Sequence, residues 1–166
     1  MVRIDEIEIR NHIIPGDLGY VIHLHGLIYG RECGYGVSFE AYVAAGLSEF
    51  YQHLDSARDR VWICEHDRKT VGFLLLMHRG NDAAQLRYFL IDPDYRGIGL
   101  GKTLMKLWME FFHECGYKSA YLWTTHELST AAALYKKHGF ILTETKNSTA
   151  FGKPLKEQRY DLVLTR

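Results

Sequence analysis

Three glycines at alternate positions, Gly97, Gly99 and Gly101, stand in the stretch Y-R-G-I-G-L-G-K-T-L (Tyr95–Leu104) beside Arg96 and Lys102. Glycines so spaced let main-chain N–H groups approach an anion closely. Where a strand enters such a stretch and a helix leaves it, the helix N-terminus adds its partial positive charge. The pattern suits a phosphate or pyrophosphate; a ligand-free glycine-rich connection is the alternative. Two phosphate signatures can be tested letter by letter. The nucleotide P-loop requires G-x-x-x-x-G-K-[ST], but its first glycine falls on Arg96. The dinucleotide fingerprint G-x-G-x-x-G, begun at Gly97, ends on Lys102. Both fail on spacing.

The other chemistry-bearing side chains exclude more than they assign. Nine histidines invite a metal reading, yet no H-E-x-x-H occurs, and His23 and His25 would face different sides of a helix. No metal is expected. Cys33, Cys64 and Cys115 are odd in number and lack C-x-x-C spacing, which reads as free thiols in a reducing compartment. Twenty basic residues balance twenty acidic ones, so nothing global draws the chain to nucleic acid or a membrane surface. The start, M-V-R-I-D-E-I-E-I-R, lacks the apolar run of a signal peptide, and no segment approaches the ~18 apolar residues of a membrane span. The expectation is a soluble cytoplasmic protein whose residues 1–166 make one domain.

Positioning the glycine stretch requires the elements around it. Val2, Ile4, Ile7 and Ile9 suggest a first strand with one slip near Asp5 and Glu6. Pro15 suits the first turn of a helix running to about Arg31. After the glycine-rich linker Cys33–Val37, Ser38 reads as the N-cap of a second helix carrying Phe39, Val43, Leu47, Phe50 and Leu54. Strands follow at Val61–Cys64, at the apolar run Val71–His78 and at Gln85–Asp92, which ends on Pro93. Gly101–Cys115 is a helix closed by Gly116, Tyr117–Thr124 a strand, and Ser129–His138 a helix closed by Gly139. Two strands finish the chain, near Phe140–Glu144 and Gln158–Leu164. The order β-α-α-β-β-β-α-β-α-β-β predicts an α/β (or α+β) fold: a mixed, mostly antiparallel sheet of about seven strands flanked by four helices.

The pattern [R/Q]-x-x-G-x-[G/A] is met by Arg96, Gly99 and Gly101, and L-R-Y-F-L-I-D-P-D-Y-R-G-I-G-L-G-K-T-L resembles motif A of the Gcn5-related N-acetyltransferase (GNAT) superfamily. Some thirty residues on, A-A-A-L-Y-K-K-H-G-F (Ala131–Phe140) resembles its motif B. A wider resemblance, carried by His25–Ala44, T-T-H-E-L-S-T-A-A-A-L-Y and S-T-A-F-G-K-P-L, is to the acetyltransferase half of bacterial MarR–GNAT fusion proteins, here as a free-standing version.

The resemblance implies acetyl transfer from acetyl-CoA to a primary amine by direct attack, in a fold that often forms homodimers. Phe89, Leu90 and Ile91 would pair with the pantetheine arm, and Arg96, Gly97, Ile98, Gly99, Leu100, Gly101 and Lys102 would hold the pyrophosphate. Tyr135, the motif B tyrosine, would protonate the departing thiolate. A lysine-like amine, pKa about 10.4, is neutral about once in 2,500 molecules at pH 7, so a base matters. Two positions depart from the family pattern: Leu128 replaces the motif B asparagine, and Trp123 stands where many relatives carry a glutamate base. Substitute bases or acceptor-binding groups are sought among His25, Glu32 and Glu40, with Tyr29, Tyr35 and Arg87 as further acceptor contacts. His126 and Glu127 read as capping residues at the start of the motif B helix. A non-catalytic acyl-CoA sensor of the same fold is the alternative.

Overall fold

The computed structural model describes residues 1–165. Seven strands form one sheet: β1 (Glu8–Arg10), β2 (Arg60–His66), β3 (Lys69–Arg79), β4 (Ala83–Ile91), β5 (Ser119–Thr125), β6 (Ile141–Ser148) and β7 (Leu155–Val163). Their order across the sheet is β1-β2-β3-β4-β5-β7-β6. Every neighbouring pair is antiparallel except β4–β5, which is parallel. Four helices complete the order expected from the sequence: α1 (Asp17–Cys33), α2 (Val37–Gln52), α3 (Leu100–Glu114) and α4 (Ser129–Lys137).

The long apolar run is β3, and it is apolar because it is covered on both sides. Phe73, Leu75 and Met77 pack with Val21, Val43, Leu47 and Phe50 of α1 and α2. Leu74 and Leu76 face the opposite layer, where α3 contributes Leu104, Met105, Trp108, Phe111 and Phe112. The two cores therefore share one sheet and use alternate residues of its central strand. Gly116 and Gly139 end α3 and α4 in the left-handed region, at φ 72° and 90°, which only glycine adopts without strain.

Several boundaries differ from the sequence reading for local reasons. The first strand is confined to Glu8–Arg10 because Ile4–Glu6 makes a 3-10 turn, its carboxylate at Glu6 accepting the Arg3 N–H at 2.7 Å. The slip in the apolar alternation marks that turn. α1 starts at Asp17, whose carboxylate accepts the Ile14 N–H at 2.7 Å, rather than at Pro15. Ser38 does not cap α2: the helix begins at Val37, two residues earlier than that cap implies, behind the extended Gly36. The terminal strands run longer than expected because β6 and β7 pair from Ile141–Asp161 out to Ser148–Leu155.

Two irregularities shape the middle of the sheet. β4 and β5 pair only over Ala83–Gln85 and Ser119–Tyr121, after which they part. Beyond Gln85, β4 therefore has no partner on its β5 side. The second irregularity is a bulge. Between the pairs Leu75–Arg87 and Phe73–Leu90, one residue of β3 opposes two of β4, and Tyr88 takes a positive φ of 58°. A bulge re-aims the side chains beyond it. Arg87 and Tyr88 consequently both turn toward α1 and α2, while Phe89 and Ile91 turn to the α3 layer.

Candidate active site

The opening between β4 and β5 has two sides. On one lies a cleft of about 700 Å³ between the glycine loop, the end of β4 and the first turn of α4. Its floor includes Phe89, Ile91, Gly97, Gly99, Gly101 and Lys102, and Tyr135 closes its inner end. Gly97 and Gly99 have φ of 80° and 93°, and a side chain at either would project into open space. Glycine is used here for backbone conformation. Gly99 is also the N-cap of α3, and the first N–H with an intrahelical acceptor is that of Thr103, onto Gly99 O at 3.1 Å. The amides ahead of it are left for an anion. Of the other loop residues, Ile98 packs on the core and Leu100 is buried in it, as is Leu90 of β4. The two buried leucines can serve a ligand through main chain alone.

Arg96 is not idle. Its Nη1 donates to Glu32 at 2.8 Å and its Nε to the Ile91 carbonyl at 3.1 Å. Glu32, expected near an acceptor, thus sits exposed at the large cleft and ties the loop to α1. Nothing in the residue pattern signals that the end of α1 meets the glycine loop.

On the other side of the opening is a smaller cavity of about 100 Å³. Its walls are aromatic: Tyr29 near the end of α1, Tyr35 in the connection to α2, Phe39 and Tyr42 on α2, Tyr88 on β4 and Trp123 on β5. Tyr29, Phe89, Leu128 and Tyr135 border both this cavity and the large cleft. Tyr29 donates to the Phe89 carbonyl at 3.3 Å, and Tyr35 bonds the Thr125 hydroxyl at 2.7 Å. Tyr135 is 5% exposed, and burial raises the pKa of its phenol, with Tyr29 adding to the effect. At neutral pH its hydroxyl stays protonated and can donate.

The base candidates fare differently. His25 is buried, with Nδ1 2.8 Å from the Val21 carbonyl, so the neutral ring must donate there and leave Nε2 as its lone pair. Burial pushes its pKa down to about 4, which keeps it neutral but makes it a poor base. Glu40 borders neither space: its carboxylate fills the notch left by Gly26 between α1 and α2. No acidic side chain lines the aromatic cavity, so the expected substitute carboxylate is not there. Arg87 does line it. Glu127 is not a cap either. α4 starts at Ser129 behind Leu128, and Glu127 pairs with Lys153 at 2.6 Å, the lysine pulling its pKa down. His126 instead accepts the Lys156 N–H at 3.1 Å.

Phe39, Tyr42, Tyr88 and Lys153 were not singled out by sequence. Tyr42 follows Phe39 by one near-turn of α2, which gave a signal; the inward turn of Tyr88 depends on a bulge that leaves no mark in the residue pattern.

Residues 57–142 match the family model of the acetyltransferase (GNAT) domain. Over 97 residues the chain is 35% identical to the uncharacterized N-acetyltransferase YjgM of Escherichia coli K12, covering 57% of this chain and 58% of that one. It is 33% identical over 96 residues to the peptidyl-lysine N-acetyltransferase YjaB of Salmonella typhimurium, covering 57% and 59%. The chain thus spans less than two thirds of the length of these curated relatives. In fold it is similar to a GNAT-family acetyltransferase from Staphylococcus aureus Mu50, at a TM-score of 0.77 and 18% identity over 96% of this chain and 99% of that one.

Proposed function

The chain belongs to the GNAT acetyltransferase family, and from that premise we propose that it moves an acetyl group from acetyl-CoA to a primary amine by direct attack. The observation that carries the reading is Tyr135, whose ring borders both the large cleft and the aromatic cavity. A thioester held in the cleft and an amine held in the cavity would meet beside its hydroxyl. The unpartnered backbone of β4 beyond Gln85 supports a pantetheine arm lying along it. The unpaired amides at the start of α3 support a pyrophosphate there, each contact worth about 0.3–1 kcal/mol.

In the proposed step the amine nitrogen forms the new C–N bond and the C–S bond breaks. The amine sheds a proton to water, and the departing thiolate receives a hydrogen bond or proton from Tyr135. With its pKa raised by burial, Tyr135 acts chiefly as a donor that stabilises the thiolate as it forms. No carboxylate lines the cavity, so the amine must arrive neutral or lose its proton to solvent. The α-amino group of a peptide or amide, pKa about 7.7–8.0, meets that demand far better than a lysine side chain.

The same absence, with Leu128 in place of the family asparagine, favours one second reading, a sensor that binds acetyl-CoA without turnover. We place the protein in the cytoplasm on its unpaired Cys33, Cys64 and Cys115. No described helix is long and apolar enough to cross a membrane.

The test is ligand-dependent stability followed by turnover. Acetyl-CoA at about 100 Kd should stabilise the fold by about 2.7 kcal/mol. For a chain of this size that raises Tm by about 5–10 °C, and ATP should not. An unmoved Tm with acetyl-CoA overturns the reading. Stabilisation without CoA release for any amine selects the sensor.

A further inference from the structure

We propose that the acceptor is a small amine that also carries a carboxylate, of the amino-acid type, and that Arg87 with the Tyr88 hydroxyl binds that carboxylate. The inference rests on the acetyl-transfer reading and specifies its second substrate.

It starts from an imbalance of charge. Of the residues lining the aromatic cavity, Arg87 is the one with a fixed charge, since His25 is held neutral by burial. A cavity built for a polyamine or a lysine side chain would present carboxylates to the incoming cation. This one presents a guanidinium.

The guanidinium is also short of a partner. Arg87 enters no ion pair among the described residues. Its one side-chain hydrogen bond goes to the neutral Tyr42 hydroxyl at 3.2 Å, and its remaining contacts are the faces of Tyr42 and Tyr88, at 5.5 and 4.6 Å from the ring centroids. The acid that feels it, Glu49, is already held by Arg79 at 3.0 Å.

A second unmet group lies beside the first. The Tyr88 hydroxyl is buried with no hydrogen-bond partner. It and Arg87 Nη2 both press into the space that a side chain at Gly46 of α2 would fill, so the two are neighbours. Leaving a buried polar group unsatisfied costs about 1–3 kcal/mol. Here two groups able to donate converge where the acceptor at hand is the neutral Tyr42 hydroxyl, which Arg87 already uses. A carboxylate supplies two acceptor oxygens in the planar geometry that a guanidinium matches.

The bulge explains how they come together. In a regular strand Arg87 and Tyr88 would point to opposite faces. The positive φ at Tyr88 turns both toward α2, and Gly46 makes room for them. Backbone strain of this kind in a non-glycine residue persists only when the surroundings enforce it. The cavity, about 100 Å³, is well below the ~300–1,000 Å³ of drug-sized sites, which fits a small molecule. With its carboxylate at Arg87, the acceptor would present its amine toward Tyr135 across aromatic walls that favour apolar substituents. Acetyl transfer then runs as described: C–N forms, C–S breaks, the amine proton leaves to water and the thiolate is protonated.

The experiment compares matched acceptors on the full chain with acetyl-CoA, reading CoA release. Each of the L-amino acids is paired with its amide, and spermidine and a lysine-containing peptide blocked at both ends are added. We expect at least one free amino acid to exceed its amide by about tenfold or more in kcat/KM. The amide amine is the less basic of each pair, so amine availability alone would favour the amide. Arg87→Met should then collapse the acid-to-amide ratio toward one through KM, Arg87→Lys should restore part of it, and Tyr88→Phe should lower it by a few-fold. Wild-type turnover of amides, spermidine or the blocked peptide at least equal to that of the acids overturns the inference and leaves acetyl transfer standing. An acid preference that survives in a folded Arg87→Met protein overturns the role of Arg87. No CoA release with any amine, despite acetyl-CoA binding, defeats the acetyl-transfer reading itself and the inference with it.

Discussion

The two sides of the β4–β5 opening are built on different principles. The proposed donor cleft is a main-chain site: glycines at positive φ, a free helix N-terminus and a strand edge without a partner. The proposed acceptor cavity is a side-chain site, walled by aromatic rings drawn from α1, the α1–α2 connection, α2, β4 and β5. A main-chain site fixes residue spacing and tolerates change in most side chains, whereas a side-chain site fixes identities that lie far apart in sequence. The first kind can hold one donor across many proteins; the second must be rebuilt for each acceptor.

The sharpest way to break this contrast is to add a side chain to the donor loop. Gly99→Val asks a β-branched residue to take φ 93°, in the region that costs an L-residue about 1–2 kcal/mol or more. Relief of that strain would turn the amides at the start of α3 away from the pyrophosphate. We expect acetyl-CoA affinity to fall by about a hundredfold, read by calorimetry, with the fold retained because no neighbour lies within 4 Å of the added Cβ. Unchanged affinity would mean that the cleft does not bind through its backbone.

Tyr135, on the border, tests whether the two sides meet at one atom. Removing its hydroxyl in Tyr135→Phe should lower kcat by at least about tenfold, within the range of general-acid effects. KM for acetyl-CoA should stay near wild type. If both kinetic constants were unaltered, the thiolate would be met elsewhere.

These differences in construction decide what the sequence could disclose. The Gly97–Gly99–Gly101 spacing, the apolar run of β3 and the terminal glycines of α3 and α4 each follow from local backbone physics, so they were legible. So was the element order. The acceptor side was not. Glu32 and Glu40 lie near the facing ends of α1 and α2, but helical phase and the notch at Gly26 send one to Arg96 and set the other, half-buried, against α1. Glu127 has the look of a helix-start acid, yet its partner, Lys153, comes from the turn between β6 and β7. Arg87, named as an acceptor contact, lines the cavity, whereas Tyr88 beside it was missed, because alternation along a regular strand assigns it to the opposite face.

A smaller effect separates the two sides by pH. His25 belongs to the cavity, and burial lowers its pKa to about 4 from 6.5. Below the unfolded value the unfolded chain binds the proton more readily, so the stability due to His25 is full above about pH 6.5 and declines toward pH 4. Between pH 7 and pH 5 its share of the loss should be about 2 kcal/mol. His25→Leu should flatten the pH dependence of the urea midpoint by that amount relative to wild type. Acetyl-CoA affinity, resting on amides, should be level over the same interval. Equal slopes in the two proteins would show that the ring is protonated in place, and that the cavity is wetter than its aromatic walls suggest.

The smallest effect decides to which side Glu32 belongs. Its carboxylate holds Arg96 at 2.8 Å with both side chains about two-fifths exposed, at 37% and 45%. An exposed pair of this kind contributes about 0.2–1 kcal/mol. Before the arginine can turn to a pyrophosphate this contact must loosen, and the carboxylate adds negative charge next to an anion site. Glu32→Gln should therefore tighten acetyl-CoA binding by about 1.5- to 5-fold, the span that energy allows, with amine KM and kcat near wild type. A kcat reduced tenfold or more at unchanged acetyl-CoA affinity would move Glu32 across the opening and make it the missing base. The division into a main-chain donor site and an acid-free acceptor site would then fail at a carboxylate of the large cleft.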